Sequence, residues 1–363
     1  MRNLGVSKTR LLLAVSGGPD SSALVCICAL LQKKLGCHLF ATSIDHGLRP
    51  EAANEVAGSK NLCETFGIPC TIQHCDVPAY RERCHLSTET AARALRYACL
   101  EYERLRIGAD YIVTAHHAGD LAEDVLMRLA RGCGWPALGG MRARDDTRHL
   151  LRPLLGIEAC QLKAILRDLA IPWFTDTTNS DLHYTRNRFR HTIVPMLTQE
   201  NPNFLMKTRH IAEQAECDRD FFDSLLAGHL NTAPWSLTLT RESVTLTMER
   251  AQILKEHKAL RLRLYRAAHA SLAAVRRDLG LTTNQASWTH FMALEAVILR
   301  GEGKKDVQFP GVLVRLERGR IVFRADLTLD AGSSPHTKRG RAQQSDAPSV
   351  RTEPEVPAGF RGE

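Results

Sequence analysis

Nowhere in the 363 residues do two cysteines stand in a Cys-x-x-Cys pair, although the chain carries 11 of them. A zinc ribbon or a cysteine-held iron–sulfur cluster is built on such pairs, so the spacing argues against both. An odd number of scattered thiols points instead to reduced cysteines in the cytoplasm. No apolar run reaches the roughly 18 residues that cross a bilayer. No charged start followed by an apolar core precedes the first strand, and no internal repeat is visible. The expectation is a soluble, cytoplasmic protein with no membrane partner. A Walker phosphate loop is excluded as well, because its Gly-Lys-Ser/Thr ending is missing. The charge that is present leans basic, +8 net with a pI near 9.0, which suits a polyanionic partner. At about 150 residues per domain, the length accommodates two domains.

The most informative stretch lies near the start. Leu11 to Val15 is a continuous apolar run, followed by Ser16, Gly17, Gly18, Pro19, Asp20 and Ser21, and then by apolar residues at helical spacing, Leu24, Ile27, Cys28 and Leu31. This reads as a buried strand, a tight loop and a helix. Gly17 and Gly18 permit positive φ, which lets backbone N–H groups converge on one oxygen. Ser21 or Ser22 is expected to cap a helix whose N-terminus points at the same anion. The stretch is a candidate phosphate cradle.

The same rhythm continues. His38–Ile44 reads as a second strand ending in Asp45 and His46, 51–66 as a helix, Pro69–His74 as a third strand, and Thr88–Arg106 as a helix capped by Ser87 or Thr88. Tyr111–Ala115 follows as a fourth strand and Ala118–Arg131 as a helix stopped by Gly132. Strands alternating with helices predict an α/β doubly wound parallel sheet whose ligand crevice lies at the carboxyl ends of the strands. Asp120 and Glu123, three residues apart, share one helix face at that crevice.

Ser-Gly-Gly-x-Asp-Ser at Ser16–Ser21 resembles the pyrophosphate (PP) loop of the ATP pyrophosphatases. The resemblance then narrows to one subfamily through a series of ordered motifs: Asp45-His46-Gly47-Leu48-Arg49; Glu89-Thr90-Ala91-Ala92-Arg93 with Arg96-Tyr97; and Ala115-His116-His117 with Asp120 and Glu123. Arg131-Gly132-x-Gly134, Arg152-Pro153-Leu154-Leu155, Asp176-x-x-Asn179 and Tyr184-x-Arg186-Asn187-Arg188-Phe189-Arg190 continue the pattern. Together they are similar to the tRNA(Ile)-lysidine synthases. Gly119, Leu121 and Asp124 depart from that pattern, which bears on how tightly the site holds its substrate.

The resemblance implies an enzyme that spends ATP to place AMP on the C2 oxygen of the wobble cytidine in tRNA(Ile) with a CAU anticodon. The ε-amino group of free L-lysine then displaces AMP. On this reading Ser16, Gly17, Gly18, Pro19, Asp20 and Ser21 bind ATP, Asp20 and Asp45 attend Mg2+, and Arg96 faces the α-phosphate. A lysine amine of pKa about 10.4 arrives as ammonium and must shed a proton, a task suited to Asp120 and Glu123. His116 and His117 point to different sides and are expected to pack and hydrogen-bond rather than share a metal. Arg186, Arg188 and Arg190, beside Phe189, are candidates for tRNA phosphates on a helix continuing to Leu197.

Beyond Asn201 the alternation stops. Phe204–Leu226, Ala251–Leu272 and Trp288–Leu299 read as helices, Trp235–Met248 as a hairpin, and Asp306–Phe323 as strands. The expected organisation is a catalytic domain over 1–196 and a mainly helical tRNA-gripping domain over 197–330. A tail over 331–363 is expected to be disordered, since it has too little apolar surface to offset ordering. Arg261, Arg263 and Arg266 are further candidates for RNA contact. The oligomeric state is left open, a homodimer included. Two other readings stand beside this one: a different tRNA-base-modifying enzyme of the same loop family, and a catalytically inactive tRNA-binding homologue.

Overall fold

The structure is a computed structural model and describes residues 4–47, 52–174, 182–232, 235–281, 284, 286–301 and 306–327. Leu48, Arg49, Asp176, Asn179 and the 331–363 tail fall outside the described residues. The described residues divide into two compact units, one up to Cys217 and one from Asp218 onward.

The first unit is an α/β doubly wound fold. Its strands are β1 (Arg10–Val15), β2 (His38–Asp45), β3 (Cys70–His74), β4 (Tyr111–Val113), β5 (Arg144–Asp145) and β6 (Leu150–Leu151). They form one six-stranded sheet in the order β3-β2-β1-β4-β6-β5, parallel throughout except for β5 against β6. The helices are α1 (Pro19–Leu35), α2 (Ala52–Thr65), α3 (Val77–Cys84), α4 (Thr88–Ile107), α5 (Ala118–Ala130), α6 (Ala159–Asp168), α7 (Thr185–Arg188) and α8 (Val194–Glu200), with a π-helical turn at Phe189–Ile193 between the last two. Leu11 and Leu13 bury one face of β1 against Leu24 of α1 and Leu162 and Leu166 of α6. Leu12 buries the other face against Leu100 of α4, Ile112 and Leu150. A strand covered on both sides must read as an unbroken apolar run, as Leu11–Val15 does. Because β2 and β3 lie on one side of β1 and β4 on the other, the strand order reverses at β1, and a crevice opens there at the carboxyl ends.

Helix α9 (Phe204–Thr232) runs through the boundary between the units. The division thus falls inside this helix rather than before it, because a helix boundary visible in sequence need not coincide with a boundary in packing. The second unit contains β7 (Ser236–Leu239), β8 (Ser243–Glu249), α10 (Arg250–Ile253), α11 (Lys258–Asp278), α12 (Trp288–Arg300), β9 (Asp306–Phe309), β10 (Val312–Glu317) and β11 (Arg320–Asp326). The strands make an antiparallel sheet, β7-β8-β11-β10-β9, whose inward Val314, Ile321 and Phe323 pack with Leu264, Tyr265 and Phe291 from α11 and α12. Buried Glu295 accepts from Arg261 Nε at 3.1 Å and Tyr265 Oη at 3.1 Å. Arg263 lies 3.5 Å over the Phe222 ring and Arg266 5.4 Å over that of Phe291. Arg261 therefore serves the buried acid of this unit, Arg263 stacks on a ring, and Arg266 stays exposed, a division that charge counting does not reveal.

Candidate active site

The cradle forms where β1 turns into α1. Gly17 has φ +78°, and a Cβ there would meet the Glu55 carbonyl oxygen at 3.1 Å, so glycine is required on both counts. Gly18 differs from expectation: it has φ −71° in extended backbone and is itself the N-cap of α1. No side chain caps this helix. Ser21 instead donates to the Gly18 carbonyl at 3.0 Å and accepts from the Ser16 N–H at 3.2 Å, which closes the loop on itself. Pro19 at the first helical position has no N–H to satisfy. The open amides of the first turn face the crevice, where an anion suits the helix dipole.

Asp20 follows in that turn. Its Oδ1 is buried without a hydrogen-bond partner, and its Oδ2 lies 3.7 Å from His117 Nε2. Burial raises its pKa, Asp120 adds to the effect, and His117, Arg190 and Lys163 oppose it. An orphaned carboxylate oxygen beside a phosphate cradle fits a metal–phosphate ligand. Among the described residues, no three His, Cys, Asp or Glu side chains converge to hold a metal by themselves. Lys163, one residue beyond Leu162 on α6, gave no signal in the sequence, since a lone helical lysine reads as a surface charge.

Asp45 ends β2, where its Oδ1 accepts from the Gly47 N–H at 2.9 Å and its Oδ2 lies 3.4 Å from His74 Nδ1. His46 has a buried Nδ1 without a hydrogen-bond partner, and burial together with the Arg96 charge pushes its pKa down to about 4. Arg96, on α4, retains accessible surface. It is nonetheless crowded enough by protein to draw its pKa down, with Arg93 and Arg186 adding repulsion; as a guanidinium it stays charged.

The other wall is the start of α5. His117 is its N-cap: Nδ1 accepts from the Gly119 N–H at 3.0 Å, while Asp120 Oδ2 accepts from the His117 N–H at 3.0 Å. With the Nδ1 lone pair used, the ring proton sits on Nε2, 3.5 Å from Asp120 Oδ2 and 3.7 Å from Asp20 Oδ2. His117 thus bridges the cradle to the α5 carboxylates. His116 turns the other way, with Nδ1 2.8 Å from Thr114 Oγ1, and burial pushes its pKa down to about 3, which keeps the ring neutral.

The departures at 119, 121 and 124 find places in this frame. A Cβ on Gly119 would fall 2.8 Å from His117 Cε1, so glycine leaves room for the capping imidazole. Leu121 is buried against Val125 and Leu155, and Asp124 accepts from Arg128 Nε at 2.9 Å.

Asp120 and Glu123 share a face as their spacing requires, but that face is covered. Glu123 is only 2% exposed; its Oε1 accepts from Arg190 Nε at 2.6 Å and its Oε2 from Arg186 Nε at 2.8 Å. Asp120 Oδ1 accepts from Arg186 Nη2 at 3.0 Å and Arg190 Nη2 at 2.7 Å. Burial would raise the Asp120 pKa, but His117, Arg186 and His116 outweigh it and hold the carboxyl below its ordinary value. Arg188, between the two, is exposed and braces its own loop through the carbonyls of Leu182 and His183 at 3.0 and 2.7 Å. Two of the three arginines read as phosphate contacts are therefore bound to the two acids read as lysine contacts.

Comparison with known proteins places this geometry. The PP-loop domain family matches residues 2–197. A tRNA(Ile)-lysidine synthase from Nitratidesulfovibrio vulgaris is 38% identical over 331 residues, which is 88% of this chain and 93% of that protein. Those from Geobacter sulfurreducens and Thermosipho africanus are 32% identical over 86% of the chain and 41% over 56%, with 64% and 47% of their own lengths matched. A solved structure of a U34-tRNA thiolase, NcsA from Methanococcus maripaludis, superposes with a TM-score of 0.51 at 15% identity, covering 59% of this chain and 74% of that one; the likeness is one of fold. With a glycine-dependent phosphate loop at the switch point of the sheet, the α5 acids beside it, and a relative matched along nearly its whole length, the chain belongs to the tRNA(Ile)-lysidine synthase family, ATP-using enzymes of the PP-loop fold.

Proposed function

We propose that this chain joins the ε-amino group of free L-lysine to C2 of the wobble cytidine of tRNA(Ile) with a CAU anticodon, forming AMP and pyrophosphate and converting an AUG reader into an AUA reader. The observation that carries the reading is the run from the cradle through His117 to Asp120 and Glu123, which sets an anion site beside a pair of buried carboxylates. Hydroxide-like oxygen on C2 leaves poorly, and AMP leaves well. The Ser16–Ser21 loop holds the triphosphate so that the cytidine oxygen meets the α-phosphate, and Arg96 offsets the charge that builds there. Mg2+, when bound, would screen phosphate charge; Asp20 and Asp45 are the residues that would hold it. Asp120 and Glu123 hold the lysine ammonium and one of them takes its proton as the amine attacks.

Exposed Arg188, with Arg186 and Arg190, meets tRNA phosphates in this scheme. The first unit carries the chemistry and the second, from Asp218 onward, adds grip on the RNA. The test is formation of AMP and pyrophosphate from ATP by the purified protein. Dependence on both tRNA(Ile) and lysine supports the proposal, and turnover with neither, or with a sulfur or ammonia donor in place of lysine, refutes it.

A further inference from the structure

Every oxygen of Asp120 and Glu123 is already engaged. Asp120 Oδ2 takes the His117 N–H, and the remaining three oxygens accept from Arg186 and Arg190 at 2.6 to 3.2 Å. Two carboxylates facing two guanidinium groups leave no net charge to attract an ammonium ion, and the guanidinium forks occupy the positions that its N–H groups would need. We infer that Arg186 and Arg190 are a latch on the amino-acid site which RNA phosphates open, so that lysine is admitted only after tRNA has docked. This inference rests on the reading of Asp120 and Glu123 as the partners of the lysine ammonium.

The latch has both a competing ligand and a moving part. A guanidinium pairs with a phosphate through the same fork that it offers a carboxylate, so one arginine cannot serve both at once. Arg188, exposed on the same run, lies where an approaching backbone would first be felt. The element carrying the arginines is not a plain helix. Between α7 and α8 the Phe189–Ile193 segment is π-helical, with the Val194 N–H bonded to the Phe189 carbonyl, five residues back. Such a turn holds one residue more than an α turn. Relaxing it to α pitch would rotate α7 against α8 by about 100° with a shift of about 1.5 Å. That motion would carry Arg186 off the α5 face while leaving α8 in place. Relaxation of the π turn would supply the second arrangement that the latch requires, with the carboxylates favouring the observed one and the RNA the relaxed one.

Calorimetric titration of L-lysine into the full chain tests this, using α,β-methylene ATP throughout so that no transfer occurs. Lysine is titrated into wild-type protein alone, into wild-type protein holding a tRNA(Ile) transcript with the CAU anticodon, and into Arg190→Gln without RNA. The second and third should bind lysine more tightly than the first, by between about fivefold and 150-fold, the range over which coupled sites act on one another. Amide exchange over 186–194 in the wild type should change when RNA is added. Lysine bound equally well by wild type with and without RNA overturns the latch and leaves the lysine site standing, whether or not the Arg190→Gln protein folds. Lysine bound in none of the arms overturns the amino-acid site itself, and the latch with it.

Discussion

Replacing Glu123 by glutamine removes one negative charge and no atoms of bulk, and the structure sets the size of the result. The side chain is 2% exposed and accepts three hydrogen bonds from Arg186 and Arg190, at 2.8, 2.6 and 3.2 Å. Glutamine keeps one acceptor oxygen but turns an NH2 group toward a guanidinium, so at least one charge-assisted bond is lost, worth about 1.5–3 kcal/mol. Because the two arginine side chains are 26% and 34% exposed, water can take over part of their solvation. The lower half of that range is therefore expected, about 1.5–2 kcal/mol, short of the full cost of stranding a buried ion. For a unit of 217 residues this corresponds to a fall in Tm of roughly 3–8 °C by differential scanning calorimetry. Catalysis should split. The cradle is untouched, so adenylation of the tRNA should persist, while the weakened hold on the ammonium should raise the KM for lysine by about tenfold or more, and adenylated tRNA should accumulate in a quenched time course. Equal loss of both half-reactions, or an unchanged Tm with an unchanged KM, would refute the assignment. A double-mutant cycle with Arg190→Gln should show a coupling of about 0.5–3 kcal/mol, and additivity would mean that the ion pair is inert.

Asp20→Ala should abolish AMP formation while tRNA binding, followed by filter retention, stays within a few-fold of wild type; near-normal turnover would remove the cradle from the mechanism. Gly119→Ala places a methyl group 2.8 Å from His117 Cε1 and should push the imidazole off its cap, costing about 1 kcal/mol or more despite the better helix propensity of alanine; an unchanged or raised Tm would show that the cap is dispensable. His46 keeps its neutral form down to about pH 4 when folded, against 6.5 for the ordinary ring. Above pH 6.5 it contributes nothing to the pH dependence; below, the unfolded chain takes up a proton that the folded one refuses, so stability falls with pH through this window. At about 1.4 kcal/mol per unit the loss is a few kcal/mol, and urea midpoints for His46→Gln should fall less steeply between pH 7 and 4.

Local rules made much of this protein legible in its sequence. The apolar run Leu11–Val15 reads as a strand covered on both faces, and Ser87 or Thr88 as the cap of α4; of the two it is the Ser87 hydroxyl that accepts the Thr90 N–H, at 3.2 Å. Each depends on residues within a turn or two of one another, where spacing and steric preference suffice. The short strands β5 and β6 were not legible, because a two-residue strand has no periodicity and exists only through its neighbours.

The charged residues divide the same way. That Asp120 and Glu123 share a face follows from three-residue spacing alone. That their partners are Arg186 and Arg190, 63 to 70 positions away, follows from nothing local. An arginine carries the same signal in sequence whether it will meet a phosphate, an aromatic ring or a buried acid, and here Arg263 meets a ring while Arg186 and Arg261 meet acids. Its choice is a matter of which opposite charge the fold desolvates beside it. Only the packing of α5 against the helical run from Thr185 to Glu200 decides that, because a carboxylate taken out of water must be matched where it lies.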